Sequence, residues 1–494
     1  MSEAEAQLRL EASVSGLANR VPSVSARSTI SRGQRNVFIG LLVVVFFGLL
    51  LDALLTVVAI IAVFTLGYLT AVIYRSYLFT RSSKTDALEV VTDEEALSIP
   101  DDELPFYTVM IPAYREASVI VKLVNNVAEL DYPTDRLEVF ILVEEDDEET
   151  LGALRTANAP PQFRLVLIPP AEPRTKPKAL NFGLTLARGD IVAVYDVEDA
   201  PDILQLRRAA VALSRYGSEV GCVQAQLTYG NAFQNIITKW FTIEYVMWFS
   251  YFLPGLSSLG APIPLGGTSN HFRRSALRTL GAWDPYNVTE DCDLGIRMFR
   301  EHYQIKVLKS PTLEEANSDF VNWVKQRSRW YKGYLQTFLI HLRSPRGLVR
   351  EIGSKGTLHL CAFVGGTPVL AALNPVFWIL TIAWFVGQPP FVKALFPAPV
   401  YYVSLVLWAF GNFLLWYLTV LTARHTKSEG LVLAAIFVPV YWVMMSIAAV
   451  KAMWQLVITP SLWEKTTHGL QFDAEKSDVE MSDAERSEGL LVHS

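Results

Sequence analysis

Apolar residues along this chain follow three different patterns. From Val37 to Leu78 they run almost without interruption. As helix these 42 residues reach about 63 Å, against a bilayer hydrocarbon core of about 30 Å. Two crossings fit, and a hairpin over 37–78 is expected to turn at Asp52. Arg27, Arg32 and Arg35 precede the run, and Arg75, Arg81 and Lys84 lie at and beyond its end, which puts both flanks in the cytosol. The run is too long and too far into the chain for a cleaved signal peptide. Residues 1–36, rich in Ser, Ala, Arg and Glu, lack a sustained apolar face and read as a disordered N-terminal tail.

After a linker over 79–103 the pattern shortens. Apolar runs at Tyr107–Ile111, Glu138–Val143, Arg164–Ile168, Ile191–Tyr195 and Gly221–Leu227 predict strands. Between them lie segments of helical period: Val119, Ile120, Leu123, Val124, Val127 and Leu130 share one face that would cover a sheet. Residues 104–341 are therefore expected to form an α/β domain with a largely parallel sheet.

From 342 to 357, Arg343, Arg346, Arg350 and Lys355 interleave with Leu342, Leu348, Val349 and Ile352, as in a helix lying in a membrane surface. A second membrane region, 358–458, holds apolar blocks at Leu358–Val386, Val400–Thr422 and Leu431–Val457. Arg424, His425 and Lys427 favour a cytosolic loop before the third block. Two plus three crossings would leave the acidic, disordered tail 459–494 outside, unless the first block, with Gly365, Gly366, Pro368 and Pro375, is bent or re-entrant.

Composition agrees with a membrane protein: 51% of the 494 residues are hydrophobic and 19% charged. A net charge of -6 without a basic run argues against nucleic acid as a partner. Cys222, Cys292 and Cys361 are odd in number and far apart, which disfavours a disulfide framework or a zinc site.

The chemistry gathers where apolar runs end. The strand Ile191–Tyr195 breaks into Asp196-Val197-Glu198-Asp199. In open α/β sheets, carboxylates past a strand's carboxyl end face a ligand crevice. Asp196 and Glu198, two apart, point the same way on extended chain and suit Mg²⁺ or Mn²⁺ bridging a diphosphate, although alone they would also fit a solvated turn. Val143 leads likewise into Glu144-Glu145-Asp146-Asp147, able to meet a base or ribose. Thr175-Lys176-Pro177-Lys178 opens a helix, whose N-terminus together with lysine attracts an anion. Thr289-Glu290-Asp291, after the loop Gly266–His271, offers a carboxylate for proton abstraction, or else an N-cap. In Gln326-Arg327-Ser328-Arg329-Trp330, Arg329 can neutralise a leaving diphosphate and Trp330 offers a flat face to a sugar, although Arg and Trp are also ordinary interfacial anchors.

In this order the series resembles the processive family 2 glycosyltransferases of the cellulose synthase superfamily, over about Val37 to Val457. Trp463-Glu464-Lys465-Thr466-Thr467-His468-Gly469 is similar in tone to bacterial glucan or mannan synthase-like proteins. The resemblance implies a cytosolic GT-A domain between transmembrane helices in the plasma membrane. It also implies a nucleotide-diphosphate sugar donor, inversion to a β-linkage, and extrusion of the polymer by the same chain. It assigns Glu145 to the nucleoside, Lys176, Gln326 and Arg329 to the donor, Asp196 with Glu198 or Asp199 to the metal, Asp291 beside Glu290 to the base, and Trp330 to the acceptor. The metal motif departs from Asp-x-Asp, and Glu198 keeps its spacing while Asp199 does not. No stretch after Val457 matches a cyclic-di-GMP-binding PilZ domain, so direct control by that nucleotide is not expected, while accessory subunits remain compatible. UDP-glucose is the first expectation for the donor, with GDP-mannose and UDP-N-acetylglucosamine as alternatives. The rival readings are a non-processive transferase acting on a lipid carrier and a catalytically silent membrane scaffold.

Overall fold

The computed structural model describes residues 3–84, 87–157, 159–460 and 462–464. Its centre is a nine-stranded sheet in the order β1-β9-β7-β8-β5-β2-β3-β4, with β6 on the flank of β9. The strands are β1 Leu88–Glu89, β2 Tyr107–Ala113, β3 Leu137–Glu144, β4 Phe163–Ile168, β5 Ile191–Val194, β6 Ala200–Pro201, β7 Val220–Tyr229, β8 Asn270–Arg273 and β9 Gln304–Glu314. All pairings are parallel except those of β8 with β5 and β7 and of β6 with β9. Every residue of β3 is buried, as expected for a parallel strand covered on both faces. One face packs under α4 (Ile120–Ala128) and α7 (Gln205–Ser214), the other under α6 (Lys176–Leu184), while α5 (Glu148–Thr156) lies beside α4. β3 and β4 extend from β2 in one direction and β5 flanks it on the other. That reversal opens a crevice at the carboxyl ends of β2 and β5, where ligands bind in open α/β sheets.

Three expectations are corrected. Residues 3–20, expected in a disordered tail, form the helix α1 (Glu3–Arg20). Leu10, Ser13 and Leu17 lie buried at helical spacing, and Asn181 of α6 donates to the Ser13 carbonyl at 3.0 Å. The stripe is too narrow to stand out as apolar, because a serine occupies its middle position. The strap continues to Asp284, whose carboxylate accepts from the Ala26 amide at 2.5 Å. The segment 79–103, expected as a linker, instead completes α3 to Lys84 and supplies β1 to the sheet edge. The loop Gly266–His271 enters β8 at Asn270, an antiparallel strand whose four residues carry little hydrophobic signal.

Among the described residues, five helices are long and apolar enough to cross a membrane: α2 (Arg32–Leu51), α3 (Ala53–Lys84), Pro345–Val386, Ala398–His425 and Val438–Ile458. Asp52 breaks the chain between α2 and α3, its carboxylate accepting from the Leu55 amide at 2.9 Å. After α8 (Ile236–Met247), α9 (Glu290–Arg300) and α10 (Phe320–His341), the remaining spans are α11 (Pro345–Val386), α12 (Ala398–His425) and α13 (Val438–Ile458). Gly353, at φ 72°, separates the basic start of α11 from its apolar remainder, a conformation glycine adopts without steric cost. The third apolar block is not continuous: a helix over Glu429–Ile436 ends at Phe437 before α13.

Both ends of α13 are tied to the α/β domain. Near its start Tyr441 donates to Glu244 of α8 at 2.6 Å. Beyond its end, the Leu462 carbonyl accepts from Lys332 of α10 at 2.5 Å and the Glu464 carbonyl from Arg329 at 3.2 Å.

Candidate active site

A cavity of about 550 Å³ opens at the carboxyl ends of β2 and β5 and continues between α3, α11, α12 and α13. Asp196, Glu198, Lys176, Glu290, Asp291, Gln326, Arg329 and Trp330 all line it. The sheet explains the convergence. β5 stops at Val194 and delivers Asp196, α6 begins with Lys176, α9 begins with Glu290 and Asp291, and α10 presents its 326–330 segment to the same opening.

Lys176 is the central cation. Its ammonium donates to Asp196 and, at 2.7 Å, to the Gly267 carbonyl. A methyl group on Gly267 would sit 3.2 Å from Asp291 Oδ2 and 3.9 Å from Lys176 Nζ, so glycine lets this loop approach both. Burial alone would favour neutral Lys176, but Asp196, Glu290 and Asp291 together raise its pKa and keep it charged.

The two carboxylates of α9 differ. Burial and the neighbouring Asp291 push Glu290 up to about 8. Burial also raises Asp291, to about 6, opposed by its hydrogen bond from the Cys292 amide and by Lys176. Burial thus holds both carboxyls above the ordinary carboxylate range, Glu290 further than Asp291. Arg329 faces Glu290, Asp196, Asp291 and Glu198. It also lies 5.0 Å from the Trp463 ring centre.

The ambiguous metal position divides by geometry. Asp199 is fully buried and braces the turn, accepting from the Asp196 amide at 2.8 Å and from Thr268. Glu198 lines the cavity with Asp196. Among the described residues no three His, Cys, Asp or Glu side chains are grouped to hold a metal. Two hard carboxylates nevertheless fit Mg²⁺ or Mn²⁺ whose other positions go to phosphate and water.

The two adjacent glutamates at the end of β3 are placed differently. Glu145 is exposed and outside the cavity lining, whereas its buried neighbour Glu144 lies within it. Glu144 pairs at 2.6 Å with Lys178, itself fully buried and donating to the Ala171 carbonyl at 2.8 Å. Strand alternation sends adjacent side chains to opposite faces, and a sequence with two consecutive glutamates does not reveal which one points in. Gln326 accepts from Asn317 at 2.8 Å. Trp330 is half-buried against Tyr245, ring centres 6.1 Å apart and nearly parallel.

Sequence reasoning missed three cavity residues. Glu314, at the end of β9, lines the cavity, and burial together with Asp199, Glu198 and Asp196 raises its carboxyl above the ordinary range. Arg327 forms a two-point pair with Glu244, its Nη1 donating to Oε1 at 2.8 Å. Both arginines of the 326–330 segment were visible, but Glu244 lies in an aromatic helix that carries no catalytic pattern.

The sheet and the carboxylate-lined crevice define a GT-A-like domain flanked by long apolar helices. Residues 105–333 match the model of the glycosyltransferase-like family 2. The curated relatives include a probable glycosyltransferase, YdaM, of Bacillus subtilis, 28% identical over 47% of this chain and 56% of that protein. A β-monoglucosyldiacylglycerol synthase of Trichormus variabilis is 30% identical over 48% of this chain and 50% of that protein. A probable glucomannan 4-β-mannosyltransferase of Arabidopsis thaliana is 27% identical over 60% and 54%. The chain thus spans about half the length of these relatives. Among solved structures, the mannosyltransferase PcManGT of Pyrobaculum calidifontis, in complex with GDP-Man and Mn²⁺, has the same fold. Its TM-score is 0.53 at 21% identity, with 81% of this chain and 99% of that one covered.

Proposed function

We propose that this chain is a membrane-embedded inverting hexosyltransferase that elongates a β-linked polysaccharide from a nucleotide-diphosphate sugar. The observation that carries the reading is one continuous cavity, running from Asp196 and Asp291 past Trp330 to the space between α3, α11 and α12. Its membrane portion carries Tyr68, Arg75, Thr367 and Asn412. Tyr68 donates to Asn412 at 2.5 Å and Arg75 to Thr367 at 3.1 Å. Polar groups at membrane depth mark a hydrophilic path, and alternating amides, hydroxyls and rings suit a neutral sugar chain.

In this reading Lys176 and Arg329 bind the diphosphate, Glu144 stands in the place first given to Glu145, and Asp196 with Glu198 would hold Mg²⁺ or Mn²⁺. When bound, the cation offsets charge on the leaving diphosphate. Asp291 takes the proton of the acceptor hydroxyl as its oxygen bonds to the anomeric carbon. The nucleoside diphosphate departs from the opposite face with the electron pair of the broken bond. One displacement needs no nucleophilic carboxylate, unlike retaining glycosidases. Trp330 supports the acceptor sugar and Gln326 borders the donor.

The contacts of α13 also favour one topology. With both of its ends on the α/β domain, α13 lies along the membrane surface in this reading, while α2, α3, α11 and α12 cross. Four crossings leave both described ends on the cytosolic side, which removes the parity conflict.

Incubating purified protein with labelled UDP-glucose, GDP-mannose or UDP-N-acetylglucosamine and sizing the products tests the function. Polymers of many residues support it. A single sugar on a lipid would establish the second reading, which the glucolipid synthase relative favours. No transfer from any donor would remove both.

A further inference from the structure

Arg327 does not lie with Arg329 among the donor groups. It is buried between α8, α10 and α13, where both of its terminal nitrogens bind Glu244 and Nη2 also reaches the Tyr441 hydroxyl at 3.2 Å. The Tyr441 hydroxyl donates to Glu244 Oε2 at 2.6 Å. The guanidinium sits 4.7 Å from the Trp330 ring centre, 5.1 Å from Phe241 and 5.3 Å from Trp323. Glu244 itself lines the cavity, with 22% of its side chain exposed against 8% for Arg327.

A buried ion pair is a poor device for stability alone, because apolar residues of similar volume often serve equally well. Here the pair keeps one member open to the cavity. An ionised carboxylate accepts about four hydrogen bonds, and the described donors to Glu244 number three: two from Arg327 and one from Tyr441. The remaining capacity suits a hydroxyl donor. Because Arg327 contacts Trp330 and Glu244 at once, the ring and the carboxylate are held at a fixed spacing along the cavity.

We propose that Glu244 is a second acceptor subsite, binding a hydroxyl of a neutral hexose next to the one resting on Trp330, and that Arg327 and Tyr441 are positioning residues for it. The inference rests on the transferase reading above. Its consequence is register: an acceptor gripped at two points presents its terminal hydroxyl to Asp291 in one orientation.

The test compares wild type with Tyr441→Phe, Glu244→Gln and the double variant Glu244→Gln/Arg327→Met, each purified in detergent at matched folded fraction. The readouts are the ratio of sugar transfer to donor hydrolysis and the KM for a short oligosaccharide acceptor. Loss of a hydrogen bond to a charged group corresponds to about tenfold. We expect the ratio to fall about that much, and acceptor KM to rise, in the double variant, which avoids stranding a buried charge, with a smaller change in Tyr441→Phe. An unchanged ratio and KM in the double variant would overturn the subsite, as would transfer and hydrolysis falling in parallel. Should the other variants fold poorly, an unchanged ratio and KM in Tyr441→Phe, which removes one hydroxyl, would overturn it equally. If wild type transfers no sugar from any donor, it is the transferase reading that fails.

Discussion

The division between Asp291 and Glu290 gives the sharpest test of the site. A base must be deprotonated to act, so a pKa raised to about 6 moves the loss of activity upward in pH. The kcat/KM profile reports groups of the free enzyme. At pH 5 a carboxyl of pKa about 6 is only about one-tenth ionised, so kcat/KM should fall about tenfold per unit below pH 6. An ordinary aspartate, near 3.9, would still be over about 90% ionised at pH 5. Glu290, raised to about 8, must lose its proton above that pH, giving an alkaline limb if its hydrogen-bond donation matters. Asp291→Asn should lower kcat by about 10²- to 10⁴-fold at pH 7, while retaining donor binding measured by calorimetry. Glu290→Gln, which replaces a neutral carboxyl by a neutral amide, should lose much less and flatten the alkaline limb. An acid limb near pH 4, or a Glu290→Gln variant more damaged than Asp291→Asn, would refute the assignment.

Asp196→Ala should abolish Mg²⁺- or Mn²⁺-dependent transfer, and Glu198→Gln should weaken metal affinity measured by titration, whereas Asp199→Asn should chiefly lower thermal stability because its carboxylate braces the Asp196 amide and Thr268; equal metal affinity in all three would remove the strand-end metal site. Glu145→Ala should leave donor affinity near wild type, while Glu144→Gln strands the buried Lys178 ammonium, and loss of one partner of a buried pair costs about 3–5 kcal/mol, read as a lower unfolding midpoint. Trp330→Ala should depress elongation far more than donor hydrolysis, by a few kcal/mol, about the scale of an aromatic anchor; an unchanged ratio with poorer stability would make it a bilayer anchor instead. Cysteines replacing Lys427 and Leu462 should react with an impermeant maleimide from the same side of the membrane and one replacing Lys393 from the other; Leu462→Cys reacting alongside Lys393→Cys would mean that α13 crosses.

What could be read from the sequence was whatever has a period or a boundary. β2 and β3 are continuous apolar runs because neighbouring strands and helices cover both faces, and their abrupt polar ends expose the crevice carboxylates. The break at Asp52 between α2 and α3 was legible for the same reason: a mostly apolar run of 42 residues is longer than one crossing needs. Features that depend on a partner distant in the chain had no such signal. Glu144 was indistinguishable from Glu145 until Lys178 and the strand pleat fixed which one points inward. β8 has only four residues, and its place between β5 and β7 is set by pairing, not by composition. Hydropathy likewise marks α13 as long and apolar enough to cross, since it registers length and composition but not what holds the two ends. What constrains this helix is a pair of polar attachments, Tyr441 to Glu244 and the Leu462 carbonyl to Lys332, each far apart in sequence. Because both bonds reach the domain that carries Asp196 and Asp291, a helix that reads as membrane ballast is positioned to form a wall of the active cavity. Contacts run from α13 to Trp330 through Glu244 and Arg327, and to Arg329 through the Glu464 carbonyl, so in the proposed reading the acceptor and donor groups lean on one helix.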